Sequence, residues 1–253
     1  MPYSIVALIK QAPDMNALRV DRATGQVQLT GQPVISSYDA CALEAAIQIT
    51  EAHGGELTVI SAGPASVKDA LQRALGMGAD RAIHVMIDDL SSIDSLAVAR
   101  LLADQIASMP VDLILTGQAS DDGSSGQVGP QVAELLGVPR VGSISALTIE
   151  GAVVAIERDS EDGRQTLHVQ IPVLLMAQSG LNEPRYLSLK GMMAAKKKPL
   201  DVVKPATVER SAGISWGAPY VPARTGGGVM LHDVPASEAA TQLVDWLKQR
   251  KLI

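Results

Sequence analysis

The stretch "VDLILTGQASDDGSSGQVGPQVAELLGVP", residues 111–139, decides the fold. It begins with an apolar run typical of a buried strand, continues through a loop rich in glycine and serine, and ends with the apolar spacing of a helix. A strand, a loop and a helix in this order form half of a unit in which a helix joins two parallel strands. The stretch therefore predicts a parallel sheet.

The same alternation of strand and helix patterns precedes this stretch. The runs, in order, are "SIVALIK" (4–10), "SYDACALEAAIQITEAHGG" (37–55), "ELTVISAG" (56–63), "ASVKDALQRALGMG" (65–78), "RAIHVMI" (81–87) and "SIDSLAVARLLADQIASM" (92–109). Parallel strands joined by helices bury both faces of their sheet. We therefore predict an α/β fold in which a mostly parallel, twisted sheet carries helices on both faces. This is the Rossmann-like arrangement of adenine-nucleotide-binding domains.

Two segments depart from this alternation. Residues 18–30, "LRVDRATGQVQLT", alternate around Thr24-Gly25 and predict a β-hairpin between the first strand and the first helix. After Pro139, turn signals at Glu150-Gly151 and Asp162-Gly163 separate strand-like runs. We expect antiparallel strands to complete the sheet there.

The chain divides into a main domain and a tail. Residues 1–198 are predicted to form the α/β nucleotide-binding domain, which includes a recognition segment at 177–199. Residues 199–253 are rich in proline and glycine before a final amphipathic helix from Ser237 to Arg250. Because this tail has little core of its own, we expect an extended C-terminal arm whose helix packs on the main domain or on a partner.

Composition limits the functions open to the chain. A formal charge of −6 argues against a general nucleic-acid binder, which needs clustered lysine and arginine. Cys41 is the one cysteine in the sequence, so no intramolecular disulfide forms and a reducing compartment, the cytoplasm, is expected. The first apolar run is too short for a membrane span. The four histidines have no paired spacing, and neither a metal site nor a catalytic residue is predicted.

The loop at 117–130 has two interpretations from its residues alone. Glycine backbones approach a phosphate closely, and serine and glutamine side chains donate neutral hydrogen bonds, so the loop suits an anion at a helix start. It is neither a P-loop nor a dinucleotide fingerprint, because the lysine and the glycine spacing of those motifs are missing. Asp121 and Asp122 would repel a phosphate, and we expect them to bind a ribose hydroxyl, cap the turn or hold loop amides. An ordinary connection is the alternative.

A second stretch, "GLNEPRYLSLKGMMAAKKKP" (180–199), resembles the recognition segment of the electron transfer flavoprotein β subunit. The resemblance extends to "VALIKQAPD" (6–14), "SAGPAS" (61–66), "ALGMGADRAIHV" (74–85) and the loop at 117–139. It implies a heterodimer in which an α subunit binds the redox-active FAD and the β subunit holds AMP. Electrons would pass from flavin dehydrogenases to a quinone oxidoreductase or another acceptor.

The resemblance also implies two sets of site residues. The nucleotide contacts carried over are Leu8, Ser36, Ser37, Tyr38, Asp39, Ala62, Ser120, Asp121, Asp122, Gly123, Ser124, Ser125, Gly126, Gln127, Val128, Gly129, Pro130 and Gln131. The partner contacts are Leu187, Leu189, Met192, Lys196 and Lys197. A protruding leucine or methionine serves as an adaptable anchor, and lysines beside it steer an acidic partner. The alternative is that the apolar members of this second set cover the edge of the core.

Two further readings stay open. The stretches "IKQAPD" and "GQVGP" resemble members that bifurcate electrons, whose β subunit binds a second FAD in place of AMP, whereas "LNEPRY" and "AAKKKP" resemble ordinary carriers. A stand-alone nucleotide-binding sensor and a hydrolase using the same crevice are the alternatives from other functional classes.

Overall fold

The computed structural model describes residues 2–21, 24–90, 93–208, 217, 220–221 and 228–253. Its strands are β1 (Tyr3–Leu8), β2 (Gln11–Ala12), β3 (Leu18–Val20), β4 (Val27–Leu29), β5 (Val34–Ile35), β6 (Gly55–Gly63), β7 (Arg81–Met86), β8 (Leu113–Gly117), β9 (Arg140–Glu150), β10 (Val153–Ser160), β11 (Gly163–Gln170), β12 (Val173–Ala177) and β13 (Leu200–Val203). Its helices are α1 (Ser37–His53), α2 (Val67–Met77), α3 (Ser95–Ala107), α4 (Val128–Leu136), α5 (Leu189–Ala195) and α6 (Ala236–Gln249).

The main sheet has the order β11-β10-β9-β12-β8-β1-β6-β7-β13 within the described part of the chain. All strands from β9 to β13 in this order run parallel, and β10 and β11 add antiparallel ladders at one edge. One buried cluster joins α1 and α2 to one face of the sheet, and a second joins α3 and α4 to the other. The predicted α/β fold with helices on both faces is confirmed.

The early hairpin is also confirmed, because β3 and β4 pair antiparallel, with Leu18 opposite Leu29. The strands after residue 139 differ in part from the prediction. β9, β10 and β11 form the expected antiparallel meander, but β12 inserts between β9 and β8 and runs parallel to both. Every residue of β12 is buried, which suits an interior parallel strand better than one at the sheet edge.

The C-terminal region contributes to the sheet and then leaves it. β13 pairs parallel with β7, so the sheet extends four residues beyond the predicted start of the arm at 199. Within the proline- and glycine-rich stretch, residues 209–216, 218–219 and 222–227 lie outside the described residues. The predicted final helix forms as α6, and none of its residues is buried. Its side chains Leu243 and Val244 are 54% and 40% exposed.

Candidate functional site

The predicted nucleotide contacts gather where the strand order of the sheet reverses. β1 lies between β8 and β6, and the helices that follow β1 and β8 pack on opposite faces. In open parallel sheets, this switch point leaves a crevice outside the carboxyl ends of the strands. Leu8 ends β1, residues 36–39 begin α1, Ala62 lies near the end of β6, and residues 118–131 follow β8.

Asp39, in the first turn of α1, joins the ends of β1 and β8 by hydrogen bonds. Its carboxylate is buried and accepts a hydrogen bond from the backbone N–H of Gly117 and another from that of Lys10, each at 2.8 Å. The ends of β1 and β8 are thereby fixed to the first turn of α1. Burial raises the pKa of Asp39 to about 7, although the two backbone bonds and the charge of Lys10 act in the opposite direction.

Gly117 makes this approach sterically possible. A Cβ atom there would lie 2.6 Å from both Asp39 Oδ1 and Tyr38 Cβ, well inside van der Waals contact. No other residue type fits between the strand end and the helix without a backbone shift. The sequence shows a glycine at this position, but its partner lies 78 residues away.

Asp121 joins the loop after β8 to the start of α1. Its carboxylate accepts from the backbone N–H of Ser37 at 2.8 Å and from the Ser37 hydroxyl at 2.5 Å, and its own N–H donates to Ser36 Oγ at 3.2 Å. Ser36 is completely buried. Asp121 thus satisfies an amide at the positive end of α1 and not one of the loop's own amides.

Asp122 is neutralised by a residue that the sequence analysis did not assign. Lys10 Nζ lies 2.7 Å from Asp122 Oδ1, and Asp122 also accepts from the N–H of Gly123 at 2.8 Å. Burial raises the pKa of Asp122, but the bonds from Lys10 and Ser120 outweigh it and hold the pKa below its usual value. Both loop carboxylates therefore have protein donors, which reduces the repulsion that they would exert on an anion.

The glycines of the loop have different roles. Gly126 adopts φ +61°, and a Cβ atom there would lie 3.0 Å from the carbonyl oxygen of Gln118, so the turn requires glycine. Gly129 lies in α4, and a Cβ atom there would lie 3.0 Å from the Cγ2 atom of Thr116. The absence of a side chain therefore lets α4 pack closely on β8. A Cβ atom on Gly123 would meet only the Ser120 hydroxyl, at an ordinary 3.6 Å.

The start of α4 provides the donor set that an anion requires. Its N-cap residue Gln127 forms no side-chain cap and instead accepts from the Ser95 hydroxyl at 2.8 Å. Ser124 and Ser125 are exposed beside this helix start. Gln131 Oε1 is buried without a hydrogen-bond partner among the described residues. A helix start with backbone amides and the Ser125 hydroxyl fits a phosphate, and Gln131 offers an acceptor to a ligand.

The recognition segment lies on a different surface, against α1 and α2. Leu189 and Met193 are 77% and 71% exposed, and Met192 is 43% exposed. Lys196 and Lys197 are also exposed, whereas Leu187 is half-buried against Gly76. Tyr186, which is not among the predicted partner contacts, is 98% exposed. Leu187 therefore covers the edge of the core, as the alternative interpretation of this segment expects, whereas Leu189 does not.

The described part of the chain contains neither a group of three or more potential metal ligands nor a helix long and apolar enough to cross a membrane. The described residues place the loop after β8 beside the start of α1, at the switch point of a parallel sheet. The fold defines an α/β protein whose mostly parallel sheet carries helices on both faces.

Residues 24–208 match the family model of the electron transfer flavoprotein domain. The chain is 38% identical over 241 residues to the electron transfer flavoprotein subunit beta of Bacillus subtilis, covering 89% of this chain and 90% of that protein. The corresponding subunit of Thermoanaerobacterium thermosaccharolyticum is 42% identical over 196 residues, covering 77% and 75%. The caffeyl-CoA reductase-Etf complex subunit CarD of Acetobacterium woodii is 34% identical over 260 residues, covering 98% and 99%.

The chain belongs to the electron transfer flavoprotein family and resembles its β subunits over most of its length. The resemblance drawn from the recognition segment and the glycine loop is confirmed, and the protein's role is in electron transfer.

Proposed function

We propose that this chain is the β subunit of a heterodimeric electron transfer flavoprotein and binds AMP in the crevice beside β1 and β8. The observation that carries the proposal is the loop at the start of α4, in which both carboxylates have partners within the protein. Lys10 compensates the charge of Asp122, and Asp121 is turned toward the amide and hydroxyl of Ser37, so the amides at 125–129 would meet an anion with less repulsion from the two carboxylates.

Each part of the nucleotide has candidate partners among the residues of the crevice. The phosphate would be held by backbone amides at 125–129 and by the hydroxyl of Ser125. The residues at 36–39, Leu8 and Ala62 would position the nucleoside. FAD, bound mainly by the α subunit, would supply the redox chemistry. The β subunit's own residues would hold the nucleotide and support the flavin-binding partner.

The exposed part of the recognition segment would receive the electron donor. Leu189 offers an apolar anchor, and Lys196 and Lys197 offer positive charge beside it, which suits a flavin dehydrogenase with an apolar pocket and an acidic rim. A quinone oxidoreductase or another acceptor would then take the electrons. We place the protein in the cytoplasm, because its single cysteine, Cys41, is a buried thiol.

Identification of the bound nucleotide tests the proposal. The heterodimer is purified and denatured, and the released nucleotides are separated by chromatography. One AMP and one FAD per heterodimer support the proposal. Two FAD molecules would replace it with the bifurcating alternative, which "IKQAPD" and "GQVGP" favour. A colourless protein that purifies without any partner subunit would favour a nucleotide sensor.

A matched pair of glycine variants locates the nucleotide. Gly126→Val should reduce AMP retention, because the turn requires a positive φ and valine also crowds the carbonyl of Gln118. Gly151 has the same φ of +61° in the turn after β9, and a side chain there would meet open space. Gly151→Val therefore introduces a similar backbone strain away from the crevice. Equal AMP content in both variants would contradict the assigned site.

A further inference from the structure

Arg185 ties the recognition segment to helix α1 through two carboxylates. Its Nε and Nη2 atoms donate to Glu44 at 2.9 and 3.0 Å, and its backbone N–H donates to Glu44 Oε2 at 3.1 Å. Its Nη1 and Nη2 atoms also donate to Glu51 at 2.7 and 2.9 Å. The planar guanidinium therefore bridges two carboxylates that lie about two turns apart on α1, a geometry that lysine cannot reproduce.

The pair with Glu44 differs from an ordinary surface ion pair. Glu44 is 3% exposed and also accepts from Gln48 Nε2 at 2.9 Å. Burial raises the pKa of Glu44, but the bonds from Arg185 outweigh it and hold the pKa below its usual value. A buried carboxylate requires such a partner, so the chain at residue 185 is held firmly against α1.

The other end of the segment is fixed to helix α2. Lys198 Nζ donates to the carbonyl oxygens of Leu75 at 3.1 Å and Ala79 at 2.6 Å, at the negative end of that helix. Between the two ends, α5 crosses α2 at a pair of glycines, where a Cβ atom on Gly191 would collide with the carbonyl oxygen of Gly76. The recognition segment is therefore held at both ends and in the middle.

A helix as short as α5 needs such support. It has seven residues, of which Ala195 alone is buried, and isolated helices of this length are unstable in water. Without external contacts, the exposed Leu189 and Met193 would sample many positions, and a partner would have to order them on binding.

We propose that Arg185 is a positioning residue, which preorganises the recognition segment so that its exposed apolar side chains bind a flavin dehydrogenase without prior ordering. Arg185 itself acts through α1 and not through direct contact with the partner. This inference rests on the proposed docking function of the segment, and two measurements separate the two ideas.

The first measurement is hydrogen exchange on the heterodimer without a dehydrogenase. Arg185→Met combined with Glu44→Gln removes the tie without leaving a buried charge. We expect backbone amides of α5 to exchange about tenfold faster, while amides of α3 on the opposite face keep their rates. Arg164→Met is the matched control, since Arg164 also lies beside two carboxylates, Glu157 and Asp159, but on the β10–β11 hairpin. Unchanged exchange in α5 would overturn the inference.

The second measurement is a double-mutant cycle with Leu189→Ala, read as the KM of the heterodimer for a flavin dehydrogenase that reduces the wild type. Arg185→Met combined with Glu44→Gln should raise KM about tenfold without changing kcat. In the Leu189→Ala background it should change KM less than about twofold, because the side chain that it positions is already gone. Arg185→Lys combined with wild-type Glu44 should give an intermediate KM.

The outcomes distinguish the two ideas. Additive effects on KM would overturn the positioning role and indicate direct contact between Arg185 and the partner. If Leu189→Ala leaves KM unchanged, the proposed docking function fails. In that case faster exchange in α5 would still support the tie to α1, and unchanged exchange would reject it as well.

Discussion

Asp39 makes the stability of this protein depend on pH in an unusual direction. Its carboxylate is 5% exposed, and burial raises its pKa from 3.8 to about 7. Between these two values the folded protein keeps a proton that the unfolded chain has released. Stability from this group is therefore present at low pH and is lost as the pH rises toward 7. An ordinary surface carboxylate in an ion pair has the opposite dependence.

The size of the effect follows from the pKa shift. One pH unit over which the folded and unfolded states differ by one proton corresponds to about 1.4 kcal/mol. When the pH is lowered from 8 to 5, the folded and unfolded states differ by a proton only below the folded pKa of about 7, which leaves roughly two pH units, from 7 to 5. We therefore expect Asp39 to stabilise the protein by about 2–3 kcal/mol more at pH 5 than at pH 8. This corresponds to roughly 4–12 °C in the thermal midpoint of a chain of this size.

Thermal unfolding of the wild type and of Asp39→Asn at pH 5, 6, 7 and 8 measures this contribution. Asparagine retains one acceptor oxygen for the N–H of Gly117 or Lys10, but its amide nitrogen faces the other donor, so the variant is less stable at pH 5. Asparagine does not titrate. The difference between the two midpoints should therefore narrow as the pH rises.

Below pH 5, other carboxylates change the stability of the protein. Arg185 holds the pKa of Glu44 and of Glu51 below the ordinary 4.5, so the stability that these groups contribute is lost as the pH falls below that value. The two effects have opposite signs and occupy different pH ranges. A midpoint difference that stays constant from pH 5 to pH 8, or that widens with rising pH, would refute the assignment to Asp39.

Two further predictions concern partner surfaces. Leu189→Ala should weaken dehydrogenase binding by on the order of 1–3 kcal/mol, roughly tenfold to a hundredfold, and leave the melting temperature unchanged because Leu189 is 77% exposed. Leu71→Ala in the core of α2 is the control and should cost about 2–5 kcal/mol of stability. Deletion of 236–253 should weaken association with the α subunit, because α6 exposes Leu243 and has no buried residue on this chain. Gel filtration of dilute heterodimer checks this, and an unchanged elution volume for the truncated complex would contradict it.

Much of the fold could be predicted from local patterns. The spacing of apolar residues shows which side of a helix or strand is buried, and glycine at turns marks where an element ends. The hairpin of β3 and β4 and the meander of β9, β10 and β11 followed from such signals. The position of β12 between β8 and β9 could not be predicted, because a fully apolar run has the same sequence pattern whichever strands it pairs with.

The candidate site divides in the same way. The glycine loop and the recognition segment are continuous stretches, so they were recognisable in the sequence by their residue types and order. The partners of Asp39 and Asp122 were not, because Lys10 lies 29 and 112 positions away from them. Glu44 and Arg185 are separated by 141 positions.

The amino-acid sequence by itself determined the periodicity, the turns and the two motifs, since these depend on neighbouring residues. Only the tertiary structure decided which distant charges meet, because that depends on the order of the strands. The sheet order places β8 beside β1, so the loop that carries Asp122 comes within reach of Lys10. The packing of the recognition segment on α1 likewise brings Arg185 to a buried carboxylate that no local pattern marks as its partner.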